Sequence, residues 1–132
     1  MPETPSFSYP KSERLKSKKL IEATFATGQK FKAWPLVAKS LDTELGQDVP
    51  CQTLVSVSKR SFKRAVDRNR IKRLMRESWR NRRSVFEDGL PERVQFAVVL
   101  IFVGKDLPSQ EHVDRAMDRL LSRMNDALHD PA

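Results

Sequence analysis

Four stretches of this chain carry a hydrophobic pattern of helix or strand, and a fifth is apolar throughout. In "KKLIEATFAT", Leu20, Ile21, Thr24 and Phe25 recur at helical spacing and share one face, so this helix is anchored to something apolar. Ser17 stands where it can cap the helix, and Gly28 where it can end it just past the last turn. "KFKAWPLVAKSLD" is strand-like but interrupted at Pro35, which predicts two short strands or a bulged edge. "QTLVSVSK" sets Leu54, Ser56 and Ser58 against Val55 and Val57, the two-residue period of a strand. "VQFAVVLIFV" is apolar throughout and predicts a buried central strand. A final helix, about 110 to 128, follows Ser109 as its N-cap. It aligns Val113, Ala116, Met117, Leu120, Leu121, Met124 and Leu128 in one stripe.

Between these stretches, "LGQDVP", "EDGLPE" and "KDLPSQEH" read as loops. Residues 1–13, with Pro2, Pro5 and Pro10 among Ser and Thr, predict a flexible N-terminal arm, and 129–132 a short tail. Residues 14–128 form one domain, since 132 residues suffice for a single core and not for two. The order is helix, two or three strands, a charged segment, strand, helix. A single mixed sheet with helices packed on it, an α+β fold, is the economical architecture.

Charge changes the picture at the segment from Lys59 to Arg83, "KRSFKRAVDRNRIKRLMRESWRNRR". It holds 12 Lys and Arg against only Asp67 and Glu77, a net +10, whereas the rest of the chain carries 13 basic and 15 acidic residues. Turned at about 100° per residue, the segment becomes a two-faced helix. Ile71, Leu74, Met75, Ser78 and Trp79 cluster on one side. Asn69, Arg73, Arg76 and Arg80 lie opposite, with Lys72 and Arg83 beside them. Lys59, Arg60, Lys63 and Arg64 extend the positive strip around the preceding loop.

That rack of cations has a specific chemistry. The planar guanidinium fork matches phosphate oxygens, and several forks at fixed spacing can follow a sugar-phosphate backbone. Neutralising phosphates releases counterions and supplies salt-sensitive affinity. Asn69 adds a group able to bond backbone or a base edge. A merely solvated helix face normally mixes charge signs, and this one hardly does. A membrane-surface helix would need its apolar face free, and here that face must hold the sheet. The target is nucleic acid. Composition alone does not choose between DNA and RNA, although no heptad zipper or helix-turn-helix partner of a DNA-reading helix accompanies the segment.

Little else in the chain offers chemistry. His112 and His129 fall in the last helix and tail, where solvent exposure is the simple reading. Cys51 opens a strand and reads as a small strand residue. Asp67 is placed as a helix-start carboxylate, too far from Glu77 to share a metal with it. There is no His/Cys zinc spacing and no Gly-rich phosphate loop. A lone cysteine, an opening without an apolar signal region and no apolar run of membrane length give the expectation of a cytoplasmic protein without a membrane partner or small-molecule cofactor.

"AVDRNRIKRLMRESWR", preceded by "VSVSKR", resembles the signature segment of the protein subunit of bacterial ribonuclease P, with its Arg-Asn-Arg centre at Arg68, Asn69 and Arg70. "RLKSKKLIEATFATGQKF" resembles that family's first helix and following strand, and the likeness spans roughly residues 14 to 128. Three positions depart from the family. Leu54 stands where Gly is frequent, and Lys39 where an aromatic residue is frequent; Ile21 also replaces a residue often aromatic.

The resemblance implies an α-β-β-β-α-β-α two-layer sandwich, a four-stranded mixed sheet with three helices and a left-handed β-α-β crossover, where general chain topology favours the right-handed one. It implies that the protein binds a catalytic RNA subunit and the 5′ leader of precursor tRNA and assists endonucleolytic removal of that leader. Hydrolysis would reside in the RNA with bound Mg2+, and no protein side chain would be catalytic. The RNA-binding set is then Lys59, Arg60, Lys63, Arg64, Arg68, Asn69, Arg70, Lys72, Arg73, Arg76 and Arg80. The leader groove, between the first helix and the sheet, is Ile21, Phe25, Lys39, Ser56 and Ser58. The alternative is a structural RNA-binding protein of the ribosomal kind, with similar composition.

Overall fold

A computed structural model describes residues 11–91, 93 and 94–128. The order is α1 (Lys18–Thr27), β1 (Gln29–Ala33), β2 (Leu36–Asp42), β3 (Cys51–Val57), α2 (Ala65–Arg82), α3 (Ser84–Glu87), β4 (Phe96–Phe102) and α4 (Gln110–Leu128). Pro35 does separate two strands, joined through the Trp34–Pro35 turn. The short helix α3 precedes the stretch expected to be a loop and overlaps it only at Glu87. Its turn is drawn in by Phe86, whose ring is buried edge-on against Phe96.

The four strands lie in the order β1-β2-β4-β3, with β3 and β4 parallel and the other pairs antiparallel. The parallel pair is joined through α2, which must cross over the sheet to make it. β4 is central and sends alternate side chains into two cores, which is why its sequence is apolar without a period. Phe96, Val98, Leu100 and Phe102 face the larger core with Leu36, Ala38, Val55 and Val57, and α2 and α4 cover it. Ala97, Val99 and Ile101 face the other side, where α1, Leu15 and Leu45 cover only part of the sheet.

The expected helix faces are found. Ile71, Met75, Ser78 and Trp79 of α2 are buried, and so is the α4 stripe from Val113 to Met124. Leu74 is only half-buried, because it lies at the margin where α2 meets α4. The Ser17 hydroxyl caps α1 by accepting from Leu20 N at 3.3 Å, and the Ser109 hydroxyl accepts from His112 N at 3.1 Å. Gly28 ends α1 with φ −65°, so it is not a left-handed cap. What requires glycine there is space: a Cβ would collide with the Thr24 carbonyl.

The folded region begins earlier than the sequence reading placed it. Lys11–Glu13 form a 3-10 turn, Leu15 N donates to Thr53 O at 2.8 Å, and Glu13 pairs with Arg83. Residues 1–10 of the expected arm, and His129 with the 129–132 tail, lie outside the described residues. Among the described residues no helix is long and apolar enough to cross a membrane.

Candidate nucleic-acid interface

The cationic face of α2 is narrower than the sequence implies, because the fold pairs off part of it. Asn69, Arg70, Arg73 and Arg76 are exposed and border an open cleft of about 530 Å³, with Arg64 at its end. Lys72 is half-buried beside them. Among the described residues, none of Arg70, Lys72, Arg73 and Arg76 has an ion-pair partner. Lys59, Arg60 and Lys63 are exposed on the loop before the helix and likewise form no ion pair among those residues.

Three expected members are engaged inside the protein. The Arg68 guanidinium donates to the carbonyls of Phe62 at 2.7 Å and Lys63 at 2.8 Å, so it organises the loop entering α2. Arg80 pairs with Glu77, and that bond holds the Glu77 carboxyl below its usual range. Arg64 lies 3.9 Å from Asp67, a weak exposed pair. Arg83, expected beside the cationic face, turns inward instead. It pairs with Glu13 and, at 3.6 Å, with Glu87. Arg82 likewise reaches across to Asp114 and Asp118 on α4, at 3.2 and 2.8 Å. Asp67 does lie in the first turn of α2, near the positive end of the helix dipole.

The second expected site lies on the other side of the sheet. Directly paired residues project to the same face, so the register gives two rows across the strands. One row is Lys30, Lys39, Val99 and Leu54; the next is Lys32, Val37, Ile101 and Ser56. α1 lies over the side of Ala97 and Val99, with Ile21 half-buried against them and Phe25 left 38% exposed. Lys39 Nζ donates to the Phe25 carbonyl at 2.6 Å and closes one wall between β2 and the end of α1. Leu54 packs into the smaller core and raises the floor at a position where the family resemblance leads one to expect Gly. Ser56 is half-exposed in its row; Ser58 lies past the strand end, its hydroxyl accepting from Arg60 N at 3.1 Å. The five residues therefore share one side of the sheet, with Ser58 at its margin.

Lys30 and Lys32 belong to this face and escaped the sequence reading. Their alternation with Phe31 was the available signal, but only the strand pairing says which side they join.

Among the described residues no three His, Cys, Asp or Glu side chains converge. The half-buried carboxylates Glu13 and Glu87 have the Arg83 guanidinium between them. Burial raises the Glu87 carboxyl to about 7, against the pull of Arg83, and Glu13 and Asp88 add to the rise. The same surroundings, burial first and then the two carboxylates, push the Cys51 thiol well above its ordinary range, so it is a protonated strand residue.

A mixed four-stranded sheet bearing a helix with one docked and one cationic face defines an α+β nucleic-acid-binding protein. Known proteins specify which. A family model described as Ribonuclease P matches residues 9–125. The ribonuclease P protein component of Porphyromonas gingivalis is 40% identical over 126 residues, covering 94% of this chain and 91% of that one. That of Chlorobium phaeobacteroides is 34% identical over 122 residues, covering 84% of each. The structure of the Staphylococcus aureus RNase P protein superposes with a TM-score of 0.66 at 18% identity, over 84% of this chain and 94% of that one, which is a likeness of fold. The chain belongs to the ribonuclease P protein family, and so takes part in 5′ processing of transfer RNA within a ribonucleoprotein endonuclease.

Proposed function

We propose that the two faces divide the work of such a protein. The cations of α2, Arg70, Lys72, Arg73 and Arg76, with Asn69 and the loop residues Lys59, Arg60, Lys63 and Arg64, bind phosphates of the RNA subunit. Arg68 shapes the loop that presents them, and Arg80, paired to Glu77, borders the surface. The opposite face, from Ile21 and Phe25 across Lys39 to Ser56 and Ser58, receives the single-stranded 5′ leader of precursor tRNA. Phosphodiester hydrolysis belongs to the RNA subunit with Mg2+ bound mainly by that RNA, and the protein contributes binding and positioning.

One observation carries the first assignment. The fold satisfies Arg68, Arg80, Arg82 and Arg83 internally, yet leaves Arg70, Lys72, Arg73 and Arg76 without ion-pair partners among the described residues. Like charges held together on a helix cost stability, and a polyanion relieves that cost. The test is RNA-subunit affinity as a function of salt. Arg73→Ala/Arg76→Ala should weaken binding and lower the log–log salt slope by about two, near one per phosphate contact. An unchanged affinity and slope would remove α2 from the interface.

A further inference from the structure

The turn between β1 and β2 carries an aromatic residue that the fold does not use. Trp34 is 63% exposed, whereas the chain's other tryptophan, Trp79, is buried at the centre of the larger core. Its turn is nonetheless held firmly in place. Arg119 of α4 donates to the Trp34 carbonyl at 3.0 Å, and Arg123, one turn further on, donates to the Lys32 carbonyl. Two long side chains thus fix the backbone on either side of an indole that itself stays in solvent.

The surroundings of that indole say what it could hold. Trp34 borders a shallow depression of about 300 Å³ with Lys32, Val37 and Val103. Val37 and Lys32 sit in the row that continues through Ile101 to Ser56, and Val103 is 37% exposed at the end of the same face. Leu36, where β2 begins, is three residues from Lys39, or ~10 Å at the rise of a strand, and the indole sits on the turn just beyond it. Lys30, Lys32 and Lys39 line the way between them, with no ion-pair partner among the described residues. An exposed ring, an apolar ledge and a rim of lysines is the arrangement that seats an unpaired nucleotide: the base stacks and the phosphate meets an ammonium group.

We propose that Trp34, with Lys32, Val37 and Val103, is a stacking subsite for a distal, unpaired nucleotide of the 5′ leader, a few nucleotides beyond the stretch lying at Lys39. This rests on the reading of the α1–sheet face as the leader groove, which it extends to the end of the sheet. Charge selects the occupant. A second copy of this basic chain would bring lysine against lysine, whereas a leader brings phosphate.

The experiment uses holoenzyme reconstituted with the RNA subunit and precursor tRNAs whose leaders lengthen one nucleotide at a time. Short leaders should bind the Trp34→Leu holoenzyme and the unmodified one equally. Past the length that reaches the turn, Trp34→Leu should lose about 5-fold or more in affinity, the worth of one stacked base. Trp34→Phe should restore most of it, because a ring rather than apolar bulk is required. Mature tRNA affinity and RNA-subunit assembly should not change. An unchanged leader-length profile in Trp34→Leu overturns the subsite, as does a loss confined to RNA-subunit assembly or to self-association of the protein. Lys39→Ala, run in parallel, separates the two readings. If it loses the leader gain while Trp34→Leu keeps it, the groove stands and the subsite falls; if both keep it, both fall.

Discussion

Lys39 Nζ donates to the Phe25 carbonyl oxygen at 2.6 Å, across 14 residues of chain. The ammonium group thereby closes off a carbonyl in the last turn of α1, which lacks an intrahelical donor and marks the negative end of the helix dipole. One side chain therefore both fastens α1 to β2 and puts positive charge at the wall of the proposed groove.

Lys39→Ala should accordingly have two separable effects. Loss of the tie should lower stability by about 1 kcal/mol, the worth of a charged but solvent-accessible hydrogen bond. The affinity gained by lengthening a precursor leader should fall, with mature tRNA binding unaffected. Lys39→Met, which keeps the stem, should lose the leader effect as well. Leader affinity equal to that of the unmodified holoenzyme would return Lys39 to a purely structural role.

The two sides of α2 should respond differently to truncation. Trp79→Ala removes a buried indole and should cost on the order of 3–5 kcal/mol in chemical denaturation. Arg80→Ala breaks only the exposed pair with Glu77 and should cost about 0.5 kcal/mol. Equal and small losses would mean that the helix is docked on the wrong side.

Arg68 and Arg73 share a helix and a charge but not a role. Arg68→Ala leaves the Phe62 and Lys63 carbonyls without their guanidinium donor and should cost about 1–2 kcal/mol of stability. Arg73→Ala should leave stability unchanged within ±0.5 kcal/mol and lower the salt slope of RNA binding by about one. Denaturation midpoints and salt titrations of both variants check this. Identical behaviour of the pair in both measurements contradicts it.

Glu87 should make stability depend on pH in the unusual direction for a carboxylate. Burial raises its folded-state value to about 7 from an ordinary 4.5, since Glu13 holds the close contact with Arg83 and one Glu87 oxygen is left buried without a hydrogen-bond partner among the described residues. Between those values the folded chain keeps a proton that the unfolded chain has released. The contribution is fully present below about 4.5 and lost as pH rises through about 7. Screening at a partly accessible site reduces it to the order of 1–2 kcal/mol. Glu87→Gln should flatten this part of the pH–stability curve. An unchanged curve would show that Glu87 is ionised in the folded protein at neutral pH.

Much of this protein is settled by local pattern. The periods of α1, β3 and α4, the break at Pro35 and the two-sided character of α2 follow from residue spacing, because side-chain direction repeats every 3.6 residues in a helix and every two in a strand. The excess of +10 in 25 residues likewise needs no structure to point to a polyanion. What spacing cannot say is where a charged side chain finds its partner. Arg68, Arg80 and Arg83 look like members of one cationic set, yet a loop, a neighbouring glutamate and a half-buried carboxylate pair claim them; one of that pair, Glu13, lies 70 residues away in the chain. Nor can spacing choose the face of an edge strand. Lys30, Lys32 and Trp34 acquire meaning only when β1 pairs with β2 in one register and two arginines from α4 pin the turn. Local periods are set by backbone geometry, while partners and registers come from chain segments up to 91 residues apart.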